Sequence, residues 1–170
     1  KKLKKNKKKN KIFENLTYKK IIKNFNFTLT KDQVRVINEI NNDLKSNFKM
    51  FRILQGDVGS GKTIVSFATA GNIVDSGYQV AMMAPTEILA KQHFALAKEV
   101  FASTDIKISF LTGKTKYKEK NIIQKNLLEG KIDFIIGTHA LFQKDIKFKN
   151  LGLAIIDEQH KFGVKQRIEL

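Results

Sequence analysis

The stretch that decides the fold is Gly56-Asp57-Val58-Gly59-Ser60-Gly61-Lys62-Thr63. It matches the pattern G-x-x-x-x-G-K-[S/T] at every fixed position, and it lies between an apolar run, Phe51–Gln55, that predicts a strand and a pattern that predicts a helix. The glycines let the main chain turn its amide N–H groups inward, and the first turn of a helix adds donors and a positive dipole end. We therefore predict that every residue from Gly56 to Thr63 belongs to a phosphate-binding loop. A glycine-rich turn without a ligand is the alternative, which this context disfavours.

The last two residues of the loop carry its chemistry. Lys62 is expected to reach the β- and γ-phosphates of a nucleotide such as ATP, and the hydroxyl of Thr63 is expected to bind Mg²⁺. Two carboxylates, Asp157 and Glu158, follow the apolar run Leu153–Ile156 at the predicted carboxyl end of a strand, where ligands of α/β proteins gather. We expect Asp157 to hold the metal and Glu158 to polarise the attacking water as general base. An Asp-Glu pair at this position is otherwise often an exposed turn.

Short apolar runs alternate with amphipathic stretches along the rest of the chain. Further strands are predicted at Gln79–Ala84, Lys107–Leu111, Ile132–Gly137 and Leu153–Asp157. Helices are predicted at Lys31–Lys45, Lys62–Ser76, Thr86–Ala102 and Thr115–Glu129. Alternation of this kind predicts the α/β class, with a parallel sheet flanked by helices on both faces.

Charge and composition narrow the class of partner. The net charge is +16, most of it from the eleven lysines of residues 1–24, which predict a basic linker or helical lead-in, with a phosphate-binding arm as the alternative. A basic chain favours a polyanionic partner. There is no cysteine, which leaves oxygen and nitrogen ligands. No apolar run approaches the length of a membrane span, and the basic start lacks the apolar stretch of a signal peptide, so we expect no membrane association and a cytoplasmic protein.

Four motifs, in order along the chain, resemble those of the RecG family of superfamily 2 helicases. The motifs are Leu54–Thr63, Met83–His93, Ile136–Ala140 and the box Asp157-Glu158-Gln159-His160 with Lys161–Arg167 behind it. The resemblance covers residues 25–170 and implies a RecA-like P-loop domain, the first motor domain of the family, truncated at its C-terminus. The activity it implies is ATP- and Mg²⁺-dependent movement on branched or forked DNA, in recombination and repair.

The resemblance also implies a site for the adenine. Phe27 resembles an aromatic residue that stacks near the base, and Gln33 resembles a glutamine that pairs with its edge. A glutamine amide offers both a donor and an acceptor, which can select adenine over guanine. The alternative is that Thr30 caps the helix and that Gln33 is only part of its exposed first turn.

Three loops resemble segments that contact the DNA backbone in the family. The residues implied are Pro85, Thr86 and Glu87 in the first, Thr112 and Gly113 in the second, and Gly137, Thr138 and His139 in the third. Backbone contacts of this type confer little sequence specificity. Thr86 is alternatively only a helix cap and His139 only a loop histidine, while His93 is expected to be structural.

The resemblance implies further parts and partners. Gln159 and His160 are expected to link the γ-phosphate site to the DNA loops, and they count among the catalytic residues together with Lys62, Asp157 and Glu158. The family also has an N-terminal wedge domain and a second motor domain with an arginine finger, neither of which we find in this sequence. Without that finger hydrolysis is expected to slow by roughly 10³–10⁵.

Three other classes of protein are alternatives. The motor of a transcription-repair coupling factor is the nearest, but its box usually reads Asp-Glu-Glu-His where this chain has Gln159. A P-loop phosphotransferase or GTPase needs only the phosphate loop and has no reason to carry the other motifs. A non-catalytic module would not need to keep Lys62 and Glu158.

Overall fold

The structure is a computed structural model, and it describes residues 20–23 and 28–158. The chain forms two compact units, residues 1–76 and residues 77–170. Within the described ranges, no helix combines the length and the apolar character needed to cross a membrane.

The described part of the first unit contains helices and no strand. Residues 20–23 are helical, and two longer helices follow, α1 (Lys31–Lys45) and α2 (Lys62–Asp75), as predicted. Thr30 starts α1 with a capping box: its hydroxyl accepts from the Gln33 N–H at 3.2 Å, and the Gln33 side chain accepts from the Thr30 N–H at 2.9 Å. The two helices contact each other through a buried hydrogen bond, which the Asn72 side-chain nitrogen donates to Asn41 Oδ1 at 3.2 Å.

The predicted strand at Phe51–Gln55 is wrong. The segment is not a strand, and Phe51 and Ile53 are 76% and 75% exposed. Arg52 instead ties the segment to α1, with nitrogens 2.9 Å from Glu39 Oε2 and 2.7 Å from Asp43 Oδ2. Apolar, β-branched residues favour a strand only where a neighbouring strand completes the ladder, and a local sequence pattern does not supply that neighbour.

The second unit is a four-stranded parallel sheet with helices, and here the predicted strands and helices are confirmed. The sheet order is β2-β3-β1-β4. The strands are β1 (Gln79–Met83), β2 (Ile108–Leu111), β3 (Phe134–Gly137) and β4 (Leu151–Ile156). The helices are α3 (Glu87–Val100) and α4 (Tyr117–Glu129), and a short 3-10 helix covers His139–Phe142.

Helices cover both faces of this sheet, as the alternation predicted. On one face Ala81, Leu111 and Ile135 form a buried cluster with Ile123 and Leu127 of α4. The next residue along each strand points to the opposite face, because side chains alternate along a strand. Apolar side chains on both faces of the sheet are therefore buried.

The opposite face packs against α3 through aromatic rings. Phe110 of β2 lies 5.1 Å, between ring centroids, from Phe94 of α3. Phe134 of β3 lies 5.7 Å from Phe101, which follows α3 directly, in an edge-to-face arrangement. Such aromatic pairs stabilise the packing beyond what their buried area alone contributes. They hold α3 against the sheet along its length.

One buried polar side chain fixes the amino end of the sheet. Gln79, at the start of β1, donates to the carbonyl oxygens of Leu127 at 2.9 Å and Ile132 at 2.7 Å, and it accepts from the N–H of Asn150 at 3.0 Å. Buried polar groups are costly unless they are paired. Gln79 therefore links the end of α4, the segment before β3 and the segment before β4 at the start of β1.

Candidate functional site

The phosphate loop has the main-chain shape that its glycines predict. Gly59 and Gly61 both have φ near +82°, in the left-handed region that glycine adopts without strain. Ser60 N–H donates to Asp57 O at 3.1 Å and closes the turn. Gly61 precedes α2 and supplies no side-chain cap, so the first N–H groups of α2 have no side chain competing for them. The loop therefore ends on a helix start that suits an anion.

Lys62 folds back over this loop. Its ammonium donates to the carbonyl oxygens of Gly56 and Asp57, each at 2.7 Å. Thr63 is the next residue of α2, and Val58 lies fully exposed at the loop tip. The loop thus holds a positive charge above the turn, where the phosphate oxygens of a nucleotide would meet it.

Gln33 touches the phosphate loop as well as capping α1. Its side-chain nitrogen donates to Ser60 O at 3.0 Å, while its oxygen serves the capping box. A Cβ on Gly61 would collide with the same nitrogen, so this approach requires a glycine there. Gln33 therefore takes part in the helix cap and also contacts the phosphate loop. Contact with adenine stays a prediction, and Phe27 lies outside the described residues.

Asp157 and Glu158 follow β4 directly, at the carboxyl end of the sheet. The Asp157 N–H donates to Met83 O at 2.9 Å, which extends the pairing of β4 with β1 by one residue. Glu158 has φ +46°, the only positive φ of a non-glycine residue in the described part of the chain. Strained backbone of this kind concentrates at functional sites. Gln159 and His160 lie outside the described residues.

His93, which we expected to be structural, contacts Asp157. Its Nε2 lies 2.8 Å from Asp157 Oδ2, with the two side chains 12% and 30% exposed. The two residues are far apart in the sequence, and no local pattern pairs them. The only signal in the sequence was that His93 shares a motif with Pro85–Glu87.

The oxygen donors at these positions fit Mg²⁺. A carboxylate at Asp157 and a hydroxyl at Thr63 are hard ligands, which Mg²⁺ prefers. Over the described ranges, no group of three or more histidine, aspartate or glutamate side chains forms a metal cage. Mg²⁺ commonly binds one or two protein oxygens and takes its other ligands from water and phosphate. Each of these two residue types therefore suits Mg²⁺, and their joint binding of one ion stays a prediction.

The three loops with predicted DNA contacts lie at one edge of the sheet, because their strands are parallel. The Thr86 hydroxyl caps α3 by accepting a hydrogen bond from the Leu89 N–H at 3.2 Å, so Thr86 is a helix cap. Thr112 and Thr138 are buried, whereas Gly113 and His139 are exposed. Thr86, Gly113 and His139 are therefore the exposed members of this predicted set, and DNA contact by all of these residues stays a prediction.

Glu87 links two of these loops. Its carboxylate lies 2.9 Å from Lys91 Nζ of α3 and 3.1 Å from Lys114 Nζ of the loop after β2. The hydrogen bond from Lys91, and then that from Lys114, lower the pKa of Glu87. Two lysines at this edge are thus held by a carboxylate that competes for the positions a phosphate would take.

Comparison with known proteins agrees with the resemblance. The model of the DEAD/DEAH box helicase family matches residues 30–170. A RecG ATP-dependent DNA helicase of Aquifex aeolicus is 50% identical over 88% of this chain and 19% of its own length. One of Treponema pallidum is 47% identical over 91% of this chain and 23% of its own length.

Two solved structures share the fold. A chain of RecG bound to a three-way DNA junction superposes with TM-score 0.84 at 47% identity, and the match covers 91% of this chain and 21% of that one. Dbp5 of S. cerevisiae matches with TM-score 0.65 at 22% identity, over 91% of this chain and 42% of that one, which supports the fold alone. A transcription-repair coupling factor is not favoured by these relatives.

The chain spans about a fifth of the length of the curated relatives that it matches. The family model, in contrast, covers most of the chain, from the capped start of α1 onward. The chain therefore belongs to the DEAD/DEAH box helicase family, with a RecA-like fold and a sequence of the RecG type.

Proposed function

We propose that this chain is the ATP-binding motor segment of a RecG-type DNA helicase, and that it uses Mg²⁺ and ATP hydrolysis to drive movement on branched DNA. The observation that carries the proposal is the phosphate loop: a turn with two left-handed glycines opens α2 without a side-chain cap, under the ammonium of Lys62. A helix start of this kind is a ready anion site.

Nucleotide binding follows from an exchange of partners at Lys62. Its ammonium now donates to two neutral carbonyl oxygens, Gly56 O and Asp57 O. A phosphate oxygen carries negative charge, so the ammonium gains a Coulomb attraction there that a neutral carbonyl oxygen does not offer. The arrival of a triphosphate is therefore expected to draw Lys62 from the loop carbonyls onto the β- and γ-phosphates, while the loop amides bind the rest.

Hydrolysis is assigned to the carboxylates after β4. We propose that Asp157 holds the Mg²⁺ of the nucleotide, together with Thr63, and that the ion, when bound, offsets charge on the phosphate oxygens. Glu158 accepts a proton from the attacking water. Gln159 and His160 are proposed to relay the state of the γ-phosphate to the DNA loops.

DNA binding is assigned to the edge of the sheet at which β1, β2 and β3 end. Main-chain groups near Pro85, Gly113 and Gly137, with the exposed His139, would contact phosphates, which gives affinity without base specificity. The relative solved with a three-way junction supports branched DNA as the substrate class. A second motor domain and a wedge domain in the same polypeptide remain part of the proposal.

Equilibrium binding of a fluorescent ATP analogue to the purified chain, with Mg²⁺, tests the nucleotide site. Lys62→Ala is expected to weaken binding by roughly 10- to 100-fold, because a hydrogen bond to a charged group contributes about 1.5–3 kcal/mol. Lys49→Ala, an exposed lysine in the same unit, is the matched control and should bind as wild type does. Equal affinity for the GTP analogue, or an unchanged affinity in the Lys62 variant, would refute the proposal.

A further inference from the structure

The contact between His93 and Asp157 has a defined donor. An ionised carboxylate can only accept hydrogen bonds, so the 2.8 Å contact to Asp157 Oδ2 requires the proton on Nε2 of the histidine. The imidazole lies mostly out of solvent, with 12% of its side chain exposed. The bond therefore joins α3 to the residue after β4 in a place where water competes little.

This bond fixes Asp157 at a second point. Its main chain is already held, since its N–H donates to Met83 O at 2.9 Å. The side chain can still rotate about two bonds, and the bond from His93 removes that freedom by binding one carboxylate oxygen. A carboxylate held at its main chain and at one oxygen presents one orientation to a ligand.

The packing of α3 does not depend on this bond. Aromatic contacts from Phe94 and Phe101 to the sheet, and the fully buried Ala90 and Ala97, already fix the helix. A single hydrogen bond at the carboxyl edge of the sheet adds little to that apolar interface. Its distinctive effect is on the direction of the Asp157 carboxylate.

We propose that His93 is a positioning residue, which holds the Asp157 carboxylate in the orientation that binds the Mg²⁺ of the nucleotide. The inference rests on the proposed function, because it takes Asp157 as a metal ligand. Hydrogen-bond partners that orient metal ligands typically change metal affinity by roughly 10- to 100-fold when they are removed.

The test compares two substitutions that differ in the donor. His93→Phe keeps a ring and loses the N–H, whereas His93→Gln keeps an N–H donor at a similar reach. The readout is the Mg²⁺ concentration at half-maximal binding of the fluorescent ATP analogue to the 170-residue chain, with a parallel titration in EDTA. His93→Phe is expected to raise that concentration roughly tenfold without changing binding in EDTA, and His93→Gln should restore it. Glu99→Gln, an exposed change on the same helix, is the control.

Several outcomes would overturn the inference. An unchanged Mg²⁺ requirement in His93→Phe, while Asp157→Asn raises it, refutes the role of His93 and leaves the proposed function in place. Equal weakening of binding with and without Mg²⁺ marks His93 as structural. If His93→Phe does not fold, the comparison of His93→Gln with His93→Asn replaces it. The shorter Asn side chain cannot reach the Asp157 carboxylate, so equal Mg²⁺ requirements in these two variants would refute the inference. An unchanged requirement in Asp157→Asn, or unchanged binding in Lys62→Ala, counts against the proposed function itself.

Discussion

Replacement of Gly137 by alanine tests the packing at the carboxyl edge of the sheet. Gly137 ends β3, between Leu111 of β2 and Met83 of β1. A Cβ built there would collide with the carbonyl oxygen of Leu111 and lie 3.1 Å from Leu141 Cγ. The obstacle is main chain of a neighbouring strand, which cannot rotate away as a side chain can. Gly137 was predicted as a DNA contact, and this geometry gives a separate reason for a glycine there.

The cost follows from what must move. The Leu111 carbonyl accepts from the Thr138 N–H at 3.2 Å, so separating β2 from β3 weakens that bond as well. Overpacking of a close-packed interior costs about 1–3 kcal/mol, and a weakened ladder bond adds about 0.5–1.5 kcal/mol. We therefore expect Gly137→Ala to lower the free energy of unfolding by about 2–4 kcal/mol, which corresponds to a melting temperature about 5–15 °C lower for a chain of this size.

Thermal unfolding followed by circular dichroism provides the assay, with two glycine controls. Gly113→Ala adds a Cβ with nothing within 4 Å and an ordinary φ, so its melting temperature should match that of wild type. Gly77→Ala also meets nothing within 4 Å but has φ +77°, and it should cost about 1 kcal/mol of backbone strain. A Gly137→Ala variant that melts within about 2 °C of Gly113→Ala would refute the predicted collision.

Two further substitutions test polar contacts. Gln79→Ala removes three hydrogen bonds made by one buried amide, to the carbonyls of Leu127 and Ile132 and from the N–H of Asn150. It should lower the free energy of unfolding by about 2–4 kcal/mol in chemical denaturation; a loss under about 0.5 kcal/mol would contradict this. Glu87→Gln removes a carboxylate whose pKa is lowered by Lys91 and then Lys114. That carboxylate stabilises the fold above its unfolded-state pKa and loses the effect on protonation, so variant and wild type should differ in melting temperature at neutral pH and converge below about pH 4. The released lysines should also steepen the salt dependence of DNA binding, by up to about one unit of logarithmic slope for each phosphate engaged; an unchanged slope would count against DNA contact at this edge.

Local sequence determined most of the elements. The boundaries of α1 and α2 follow from Thr30 as a cap and from the glycines before Lys62, because caps and left-handed turns depend on a few adjacent residues. Alternation of strands and helices predicted a parallel sheet, since only a crossover connection joins parallel neighbours. The phosphate loop was readable for the same reason: its shape needs glycine at Gly59 and Gly61.

The tertiary structure decided what depends on residues distant in the sequence. It gave Phe51–Gln55 no strand structure, because strand pairing requires a partner that a local sequence pattern does not identify. It gave Gln33 a contact with Ser60 in addition to its cap. It also brought His93 of α3 to the Asp157 carboxylate after β4. The sequence by itself specified which chemical groups the chain carries, and the packing of helices on the sheet decided which of them meet, because hydrogen bonds act only over about 3 Å.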